Sequence, residues 1–302
     1  MKAEIEAFIN RGGPDPNGIQ EFLLFLNWIE KEIAAQRISF KEIHQTLRQL
    51  GRPFSTETMQ GFALSKPYGY SGDFEIIEHI YDQKTSADPN LKNWDTFFHS
   101  QSGTRAVRNR KQYFSDLVKD RLQKNESIRV LNVACGGGRE VIDCINSISE
   151  EDRRRIKFHG IDAEPKAIDV VKKRIQKQKI QDIFTVERAN VVKYFFSEKY
   201  DLIWSAGLFD YFRDSTFTKV IRRLYSGLSP SGELVIGNFS ENNPSRTYIE
   251  VFTDWFLYHR SREDLKSLAN AAGLQNCCIN VQQEQEGVIL FLHLLKRQQG
   301  GI

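Results

Sequence analysis

The sequence predicts an α/β protein in which a helical N-terminal domain precedes a mostly parallel sheet with an antiparallel final strand. Up to about residue 125, apolar residues recur at helical spacing and no segment alternates cleanly like a strand. From Ser127 onward, short β-rich runs alternate with helical segments, which is typical of βαβ units. The last two apolar runs, joined through residues 282–287, indicate a terminal hairpin. We therefore predict a helical cap and substrate domain over 1–125, an α/β domain over 126–298 and a frayed tail over 299–302.

Composition excludes several classes of protein. The 302 residues carry a formal net charge of +3, with 27% charged and 40% hydrophobic residues, as in globular proteins. No run approaches the roughly 20 apolar residues of a membrane helix, and the acidic N-terminus does not resemble a secretory signal. We expect a cytoplasmic protein with no membrane partner. The four cysteines form no CxxC pair, so we expect buried thiols and no metal site.

Each helix of the first part follows from its apolar spacing. Residues 18–35 place Ile19, Phe22, Leu26 and Ile29 on one face, and residues 39–50 repeat the pattern until Gly51-Arg-Pro interrupts it. Residues 72–81 form a short amphipathic segment, and residues 104–124 form a longer one. All four are predicted helices.

The second part alternates strands and helices. The predicted strands are 129–133, 156–161, 184–187, 200–205, 232–239, 277–281 and 288–295, and the predicted helices are 138–147, 165–177, 216–226 and 261–272. Ser261 is a good N-cap because Asp264 follows three residues later, and Gly273 suits the end of the same helix.

The most informative segment runs from Val130 to Glu140 and reads VLNVACGGGRE. A strand leads through small residues into a helix, so the backbone can turn sharply and approach a ligand closely. Free N–H groups at the start of a helix favour a carboxylate or a phosphate. Asp162 ends the next strand, and in doubly wound folds an acid there binds ribose hydroxyls. The alternative is a tight turn beside a solvated carboxylate.

This segment resembles motif I of class I S-adenosylmethionine-dependent methyltransferases, and the resemblance extends from about residue 128 to 297. It implies a Rossmann-like methyltransferase sheet. The cofactor positions that it implies are Ala134, Cys135, Gly136 and Gly138 for the methionine part, and Asp162 with Ala163 for the ribose.

The same resemblance implies the rest of the cofactor site. Asn190, after the third strand, matches the residue that bonds the adenine amino group, and Val191 lies at the adenine face. Ser205 and Ala206, at the end of the fourth strand, match positions near the transferable methyl group. S-adenosylmethionine is the implied cofactor, and S-adenosylhomocysteine is its product.

The glycine loop departs from this family at two positions. Asn132 stands where the family usually has an acid, and Ala134 stands where it usually has glycine. These two departures leave two alternatives open. The protein could bind the cofactor more weakly than the family does, or it could be a regulatory module that holds the cofactor without catalysis. A nicotinamide enzyme would place two residues between its second and third glycines, whereas one residue separates Gly136 from Gly138.

A second resemblance covers most of the chain. Four segments, KPYGYSGDF from Lys66, GTRAVRNR from Gly103, CGGGRE from Cys135 and DWFLYHR from Asp254, occur in this order. Together they are similar to bacterial methyltransferases that make 3-hydroxy fatty acid methyl esters, the "extracellular factor" signals. This resemblance implies a small-molecule acceptor that carries a carboxylate.

The N-terminal part offers three candidates for the acceptor site. Tyr68 and Tyr70 lie in a turn rich in glycine and proline, where the phenols could orient a substrate. The alternative is that Asp73 caps the next helix and the tyrosines only pack. Arg105 could pair with a carboxylate, or it could belong to a solvated basic face.

The second part offers three more candidates. Tyr211 follows the fourth strand, where substrate loops commonly lie in this fold. Tyr258 and His259 end a predicted aromatic helix, which could line an acceptor pocket or belong to the core. A carboxylate acceptor is already ionised at pH 7, but an amine or hydroxyl acceptor would need a base such as His259. Tyr211, Tyr70 and His259 are the catalytic candidates.

Other functions remain open from sequence. O- or N-methylation of another natural product would require a base near the methyl group. RNA methylation would use the basic residues of 104–124 and 153–179, but acids are interspersed in both stretches. We therefore expect a small-molecule partner and no nucleic acid, and the oligomeric state is open.

Overall fold

The β-rich runs of the second part form one sheet. The computed structural model of the chain describes residues 1–274 and 277–297, so the predicted frayed tail over 299–302 lies outside the described residues. The strands are β1 (Ile128–Val133), β2 (Ile156–Asp162), β3 (Phe184–Arg188), β4 (Tyr200–Ser205), β5 (Leu228–Phe239), β6 (Cys278–Gln283) and β7 (Ile289–Leu295).

The strand order is β3-β2-β1-β4-β5-β7-β6. The pairs among β1 to β5 are parallel, and β7 runs antiparallel to both β5 and β6. This arrangement confirms the predicted mostly parallel sheet with an antiparallel final strand. From β1 the chain adds β2 and then β3 on one side of the sheet. It then returns to the other side of β1 and adds β4 and β5, so the direction of the strand order reverses between β1 and β4. In open α/β sheets, ligands bind beyond the carboxyl ends of the strands at such a point.

Helices connect the strands. They are α8 (Arg139–Ser147), α9 (Glu150–Arg155), α10 (Pro165–Gln178), α11 (Asp214–Ser226) and α13 (Arg262–Ala271). Ser261 and Asp264 form the predicted capping box, and Gly273 adopts φ +76° directly after the helix. One face of β1, β4, β5 and β7 packs against α11 and α13. Consecutive residues of these strands are buried, so both faces of the sheet are covered, which explains why these strands are almost continuously apolar.

The first part of the chain is helical, as predicted. Its helices are α1 (Lys2–Asn10), α2 (Ile19–Ala34), α3 (Phe40–Leu47), α4 (Met59–Ser65), α5 (Phe74–Tyr81), α6 (Pro89–Ser100) and α7 (Ser102–Lys124). One further helix, α12 (Arg246–Thr253), is inserted after β5. The aromatic rings of Phe22, Trp94, Phe97, Tyr248 and Phe252 pack against one another in the helical core.

The chain contacts divide the molecule into two compact units. One contains Met1–Arg108 with Asn243–Phe256, and the other contains Asn109–Asn242 with Leu257–Ile302. We refer to them as the helical unit and the sheet unit. The predicted boundary at residues 125 and 126 concerns folding domains and stays a prediction.

Two details of the helices correct the sequence analysis. The aromatic helix that was predicted to include Tyr258 and His259 ends at Thr253, because Asp254 adopts a left-handed conformation with φ +52°. Helices α1, α4, α6 and α9 were not predicted. Of these, α6 has a readable start, because the Asp88 side chain accepts from the amide of Asn90 and Pro89 stands at the first helical position.

No helix among residues 1–274 and 277–297 is long and apolar enough to cross a membrane. All four cysteines are free thiols. Three of them are buried as predicted, and Cys278 is exposed because it begins the edge strand β6.

Candidate functional site

The glycine loop joins β1 to α8 at the point where the strand order reverses. Ala134 and Gly136 adopt φ +55° and +51°, and Gly138 adopts φ +70° at the start of α8. Ala134 thus keeps the left-handed backbone that glycine would adopt, at a modest steric cost. A Cβ on Gly138 would lie 2.9 Å from Cγ1 of Val171, so this residue has no room for a side chain. The loop is therefore shaped by its backbone.

Asp162 fastens this loop to the end of β2. Its Oδ2 accepts a hydrogen bond of 2.8 Å from the amide of Gly136, and its Oδ1 accepts one of 2.9 Å from the amide of Glu164. Burial raises the pKa of the Asp162 carboxyl, and these amide donors oppose the rise. A carboxylate offers about four acceptor positions, so two more donors can still reach it. Ala163 follows and is exposed.

The next strand end lies beside this carboxylate. The amide of Ala189 donates to the backbone oxygen of Asp162 over 2.9 Å. The side chain of Asn190 accepts from the amide of Val192 over 2.9 Å and caps a 3₁₀ turn that begins at Val191. Val191 is buried and Asn190 is exposed. The structure thus brings the segments of Asp162 and Asn190 together.

Ser205 and Ala206 end β4 on the other side of β1. Ser205 is fully buried, and no described residue hydrogen-bonds to its Oγ. The backbone oxygen of Ala206 accepts from Nη1 of Arg110 over 2.9 Å, and Nε of Arg110 lies 3.3 Å from Oε1 of Glu140. The second Glu140 oxygen accepts from the indole of Trp204 over 3.0 Å. A buried ion pair therefore links α7, α8 and the end of β4.

The Arg110–Glu140 pair was missed by the sequence analysis. From α7 the sequence analysis singled out Arg105 and not Arg110, which is the more deeply buried of the two. Arg110 and Glu140 lie in the quoted segments GTRAVRNR and CGGGRE. The presence of one basic and one acidic residue in these two segments could have indicated the pair, because a buried charge requires an opposite charge beside it.

The loop after β4 carries Tyr211. A 3₁₀ turn spans Phe209–Tyr211, and its middle residue, Asp210, is almost completely buried. Burial raises the pKa of the Asp210 carboxyl to about 7, although an amide donor from Phe239 and the charges of Arg110 and Arg260 oppose the rise. Tyr211 itself stays 36% exposed. Asp210 had no sequence signal, because its burial depends on residues far away in the chain.

Tyr258 and His259 lie in the extended segment that leads to α13. The amide of Tyr258 donates to the backbone oxygen of Asp210 over 2.7 Å, which places Tyr258 beside the Tyr211 turn. His259 is half-buried, and its Nδ1 lies 3.2 Å from the backbone oxygen of Leu257. The sheet unit thus contains every predicted cofactor residue together with Tyr211, Tyr258 and His259.

Tyr68, Tyr70 and Arg105 belong to the helical unit. The Tyr68 hydroxyl donates to Glu75 over 2.6 Å, and Tyr70 is 41% exposed. Asp73 caps α5 through the amides of Glu75 and Ile76, as the alternative interpretation predicted. Arg105 is half-buried, and its guanidinium donates to the backbone oxygen of Ser100. Their proposed contact with an acceptor stays a prediction.

Asp254 holds the turn that carries these tyrosines. Lys66 Nζ lies 2.8 Å from its Oδ2, His44 Nδ1 lies 3.3 Å from its Oδ1, and Ser71 Oγ donates to its backbone oxygen over 3.0 Å. Partial burial acts to raise the pKa of the Asp254 carboxyl, but its contacts with the Lys66 ammonium and with His44 hold that pKa below its usual value. Lys66 and Asp254 come from two of the quoted segments, KPYGYSGDF and DWFLYHR, so this pair also had a signal in the sequence.

The described residues contain no group of three or more His, Cys, Asp or Glu side chains that could hold a metal ion. The candidate site is built from backbone amides, the carboxyl groups of Asp162 and Asp210, and aromatic side chains.

The strand order, the glycine loop and the carboxylate at the end of β2 together define a Rossmann-like methyltransferase fold. The family model described as "Methyltransferase domain" matches residues 124–290, more than half of the chain. The chain belongs to this family, and the predicted class I S-adenosylmethionine-dependent methyltransferase domain is thereby confirmed.

Solved structures share the fold at low sequence identity. A possible exported protein from Bordetella parapertussis is 16% identical, with a TM-score of 0.64 over 87% of this chain and 98% of that one. Magnesium protoporphyrin IX methyltransferase from Synechocystis, crystallised with S-adenosylhomocysteine, is 13% identical, with a TM-score of 0.50 over 64% and 86%. The methyltransferase SibL in its apo form is 13% identical, with a TM-score of 0.50 over 89% and 77%. No curated protein matches the sequence.

Proposed function

We propose that the protein binds S-adenosylmethionine at the carboxyl ends of β1 to β4 and transfers its methyl group to a small-molecule carboxylate, giving a methyl ester. The observation that carries the cofactor part of this proposal is the hydrogen bond of 2.8 Å between the Gly136 amide and Asp162, which joins the glycine loop to a half-buried carboxylate where the strand order reverses.

The residues present fit this cofactor. Asp162 keeps acceptor positions for two ribose hydroxyls after it has bound the amides of Gly136 and Glu164. Positive φ angles at Gly136 and Gly138 present a concave stretch of backbone for the methionine part. The buried Ser205 Oγ supplies a polar group at the end of β4. The cofactor would supply an electrophilic methyl carbon on its sulfonium.

Two arguments support a carboxylate acceptor. A carboxylate needs no general base, and its nucleophilic oxygen has only to be held about 3 Å from the methyl carbon and in line with the leaving sulfur. The second argument is the resemblance of four segments to the family that makes 3-hydroxy fatty acid methyl esters. These segments also contain the Arg110–Glu140 and Lys66–Asp254 pairs, which stabilise the two units that carry the candidate acceptor residues.

One observation favours the alternative of O- or N-methylation. Because His259 Nδ1 faces the backbone oxygen of Leu257, a neutral imidazole would hold its proton on Nδ1. Nε2 would then be the acceptor, which is the form that a general base requires. His259→Ala should leave esterification of a carboxylate intact and abolish transfer to a hydroxyl or an amine.

Methyl-labelled S-adenosylmethionine and 3-hydroxydecanoic acid test the proposal. We expect label in a product that mild alkali hydrolyses to methanol, because esters hydrolyse and ethers or methylamines do not. Asp162→Ala should reduce transfer at limiting cofactor, and Asp169→Ala, at an exposed position on α10, should not. Alkali-stable label with other acceptors would favour the alternative. S-adenosylhomocysteine binding without transfer to any acceptor would indicate a regulatory module.

A further inference from the structure

Arg260 joins separate segments of the sheet unit through a buried guanidinium. Nη1 donates to Oδ1 of Asn238 over 2.7 Å and to the backbone oxygen of Phe209 over 3.3 Å. Nη2 donates to the backbone oxygen of Phe212 over 2.6 Å and to Oδ1 of Asp214 over 2.8 Å. Arg260 is only 4% exposed. One side chain therefore holds the chain on both sides of Tyr211.

Asp210 and Asn238 complete the same network. Oδ1 of Asp210 accepts from the amide of Phe239 over 2.6 Å, and its backbone oxygen accepts from the amide of Tyr258. Nδ2 of Asn238 donates to the backbone oxygens of Phe239 and Tyr258 over 2.8 and 2.9 Å. We call Asp210, Asn238 and Arg260 the clamp. It ties together the loop after β4, the end of β5 and the segment that leads to α13.

The clamp lies beneath two exposed phenols. Tyr211 is 36% and Tyr258 44% exposed, whereas the three clamp residues are 4% exposed or less. Burying a carboxyl, an amide and a guanidinium is costly unless they are hydrogen-bonded. An apolar contact could close a surface loop at lower cost, but it would not fix the direction of the backbone as multiple hydrogen bonds do.

We propose that the clamp positions Tyr211 and Tyr258 as one recognition surface for the acceptor, so that Asp210, Asn238 and Arg260 are positioning residues of the methyl transfer. The identity of the bound molecule as an acceptor rests on the proposed function, but the mechanical role of the clamp does not. Arg213, whose Nε lies 3.3 Å from the Tyr258 hydroxyl, links the two tyrosine segments at the surface.

Hydrogen exchange of the full chain tests whether the clamp is one unit. Arg260→Lys keeps the charge but loses the planar fork that reaches both sides of Tyr211. We expect amide exchange to rise at least tenfold both in residues 208–214 and at Tyr258, while residues 134–138 change less than twofold. Arg262→Lys is the matched control, because Arg262 also donates to a backbone oxygen, that of Val281, outside the clamp.

A second variant guards against a folding defect. Asn238→Ser removes two donated hydrogen bonds and the Arg260 acceptor without removing a charge, and it should raise exchange in the same two segments. A rise in amide exchange that is confined to one of these segments, or an equal rise in Arg262→Lys, would contradict the proposal that the clamp acts as one unit.

Fluorine NMR tests whether the tyrosines are what the clamp positions. With 3-fluorotyrosine incorporated, Tyr211→Phe and Tyr258→Phe assign the two signals. Arg260→Lys should shift or broaden both signals and leave that of Tyr225 on α11 unchanged. Unchanged Tyr211 and Tyr258 signals would contradict the positioning role. Calorimetry with S-adenosylhomocysteine on the same samples separates the proposals, because a wild-type protein that fails to bind it contradicts the proposed function and leaves the clamp intact.

Discussion

At the scale of single residues, Asp210 is an ionisable carboxyl in a site where its charged form is costly. Its pKa rises from 3.8 to about 7 on burial. The folded protein therefore holds this proton over a pH range in which the unfolded chain has lost it. Proton binding by Asp210 therefore adds to the free energy of unfolding. This contribution is fully present below about pH 4 and is lost as the pH rises through about 7.

Asp210→Asn should remove this part of the pH dependence. Each pKa unit corresponds to about 1.4 kcal/mol, so the wild-type free energy of unfolding should fall by about 4 kcal/mol relative to the variant between pH 4 and pH 8. Asparagine keeps the oxygen that accepts from Phe239. Urea unfolding across this pH range measures the difference, with Asp169→Asn as an exposed control. Parallel curves for wild type and Asp210→Asn would contradict the assigned burial cost.

Asp162 and Asp210 show what a sequence can and cannot reveal about a residue. The location of Asp162 follows from local order, because a β-strand, a glycine turn, a helix and a second strand place its carboxylate beside the turn. Asp210 is buried through contacts with Phe239, Tyr258 and Arg260, which are 29 or more residues away in the chain. Such contacts leave no periodic pattern, so the candidate chosen from the sequence was its exposed neighbour Tyr211.

At the scale of elements, the packing of α8 against its neighbours depends on Gly138. Gly138→Ala combines a left-handed backbone with a Cβ 2.9 Å from Val171. We expect about 1–2 kcal/mol of backbone strain and a further 1–3 kcal/mol or so of overpacking. Gly273→Ala is the control, because Gly273 has φ +76° directly after α13 and a Cβ added there would lie no nearer than 4.0 Å to Nη2 of Arg222. Denaturant unfolding should show a clearly larger loss for Gly138→Ala, and equal losses would contradict the packing argument.

The Arg110–Glu140 pair joins α7 to α8 beneath the end of β4. Glu140→Gln removes the charge opposite a buried guanidinium, and losing one partner of a buried pair costs about 3–5 kcal/mol. We expect a loss near the lower end, because the amide oxygen can still accept from Trp204. Glu150→Gln, which removes the exposed partner of Arg153, should lie within experimental error of wild type in the same unfolding assay. A Glu140→Gln variant as stable as this control would show that the pair contributes little.

Helix ends illustrate the limits of reading elements from sequence. The start of α13 was predicted because Ser261 and Asp264 form a local capping box. The end of α12 was missed, because Asp254 is held in a left-handed conformation by Lys66 and His44 from distant helices. The aromatic residues beyond it continue the helical spacing and suggested a helix that does not form.

At the scale of the whole molecule, the strand order and the glycine loop follow from patterns that are local to each βαβ unit. The inserted segment Asn243–Phe256 joins the helical unit although it lies between strands of the sheet. This segment belongs to the helical unit because its buried side chains, such as Tyr248 and Phe252, pack on aromatic residues within the first hundred positions of the chain. Helical spacing left open whether the aromatic helix lines an acceptor pocket or belongs to the core, and it could not say which core its side chains join.

The central claim is that the sheet unit holds S-adenosylmethionine through Asp162. Calorimetric titration of S-adenosylhomocysteine into wild type, Asp162→Ala and Asp169→Ala tests it most directly. Loss of hydrogen bonds to a charged acceptor costs about 1.5–3 kcal/mol, so Asp162→Ala should bind roughly tenfold or more weakly. Asp169→Ala should bind as wild type does. Circular dichroism of each protein confirms that it is folded. A folded wild type that does not bind, or an Asp162→Ala variant of unchanged affinity, would contradict the claim.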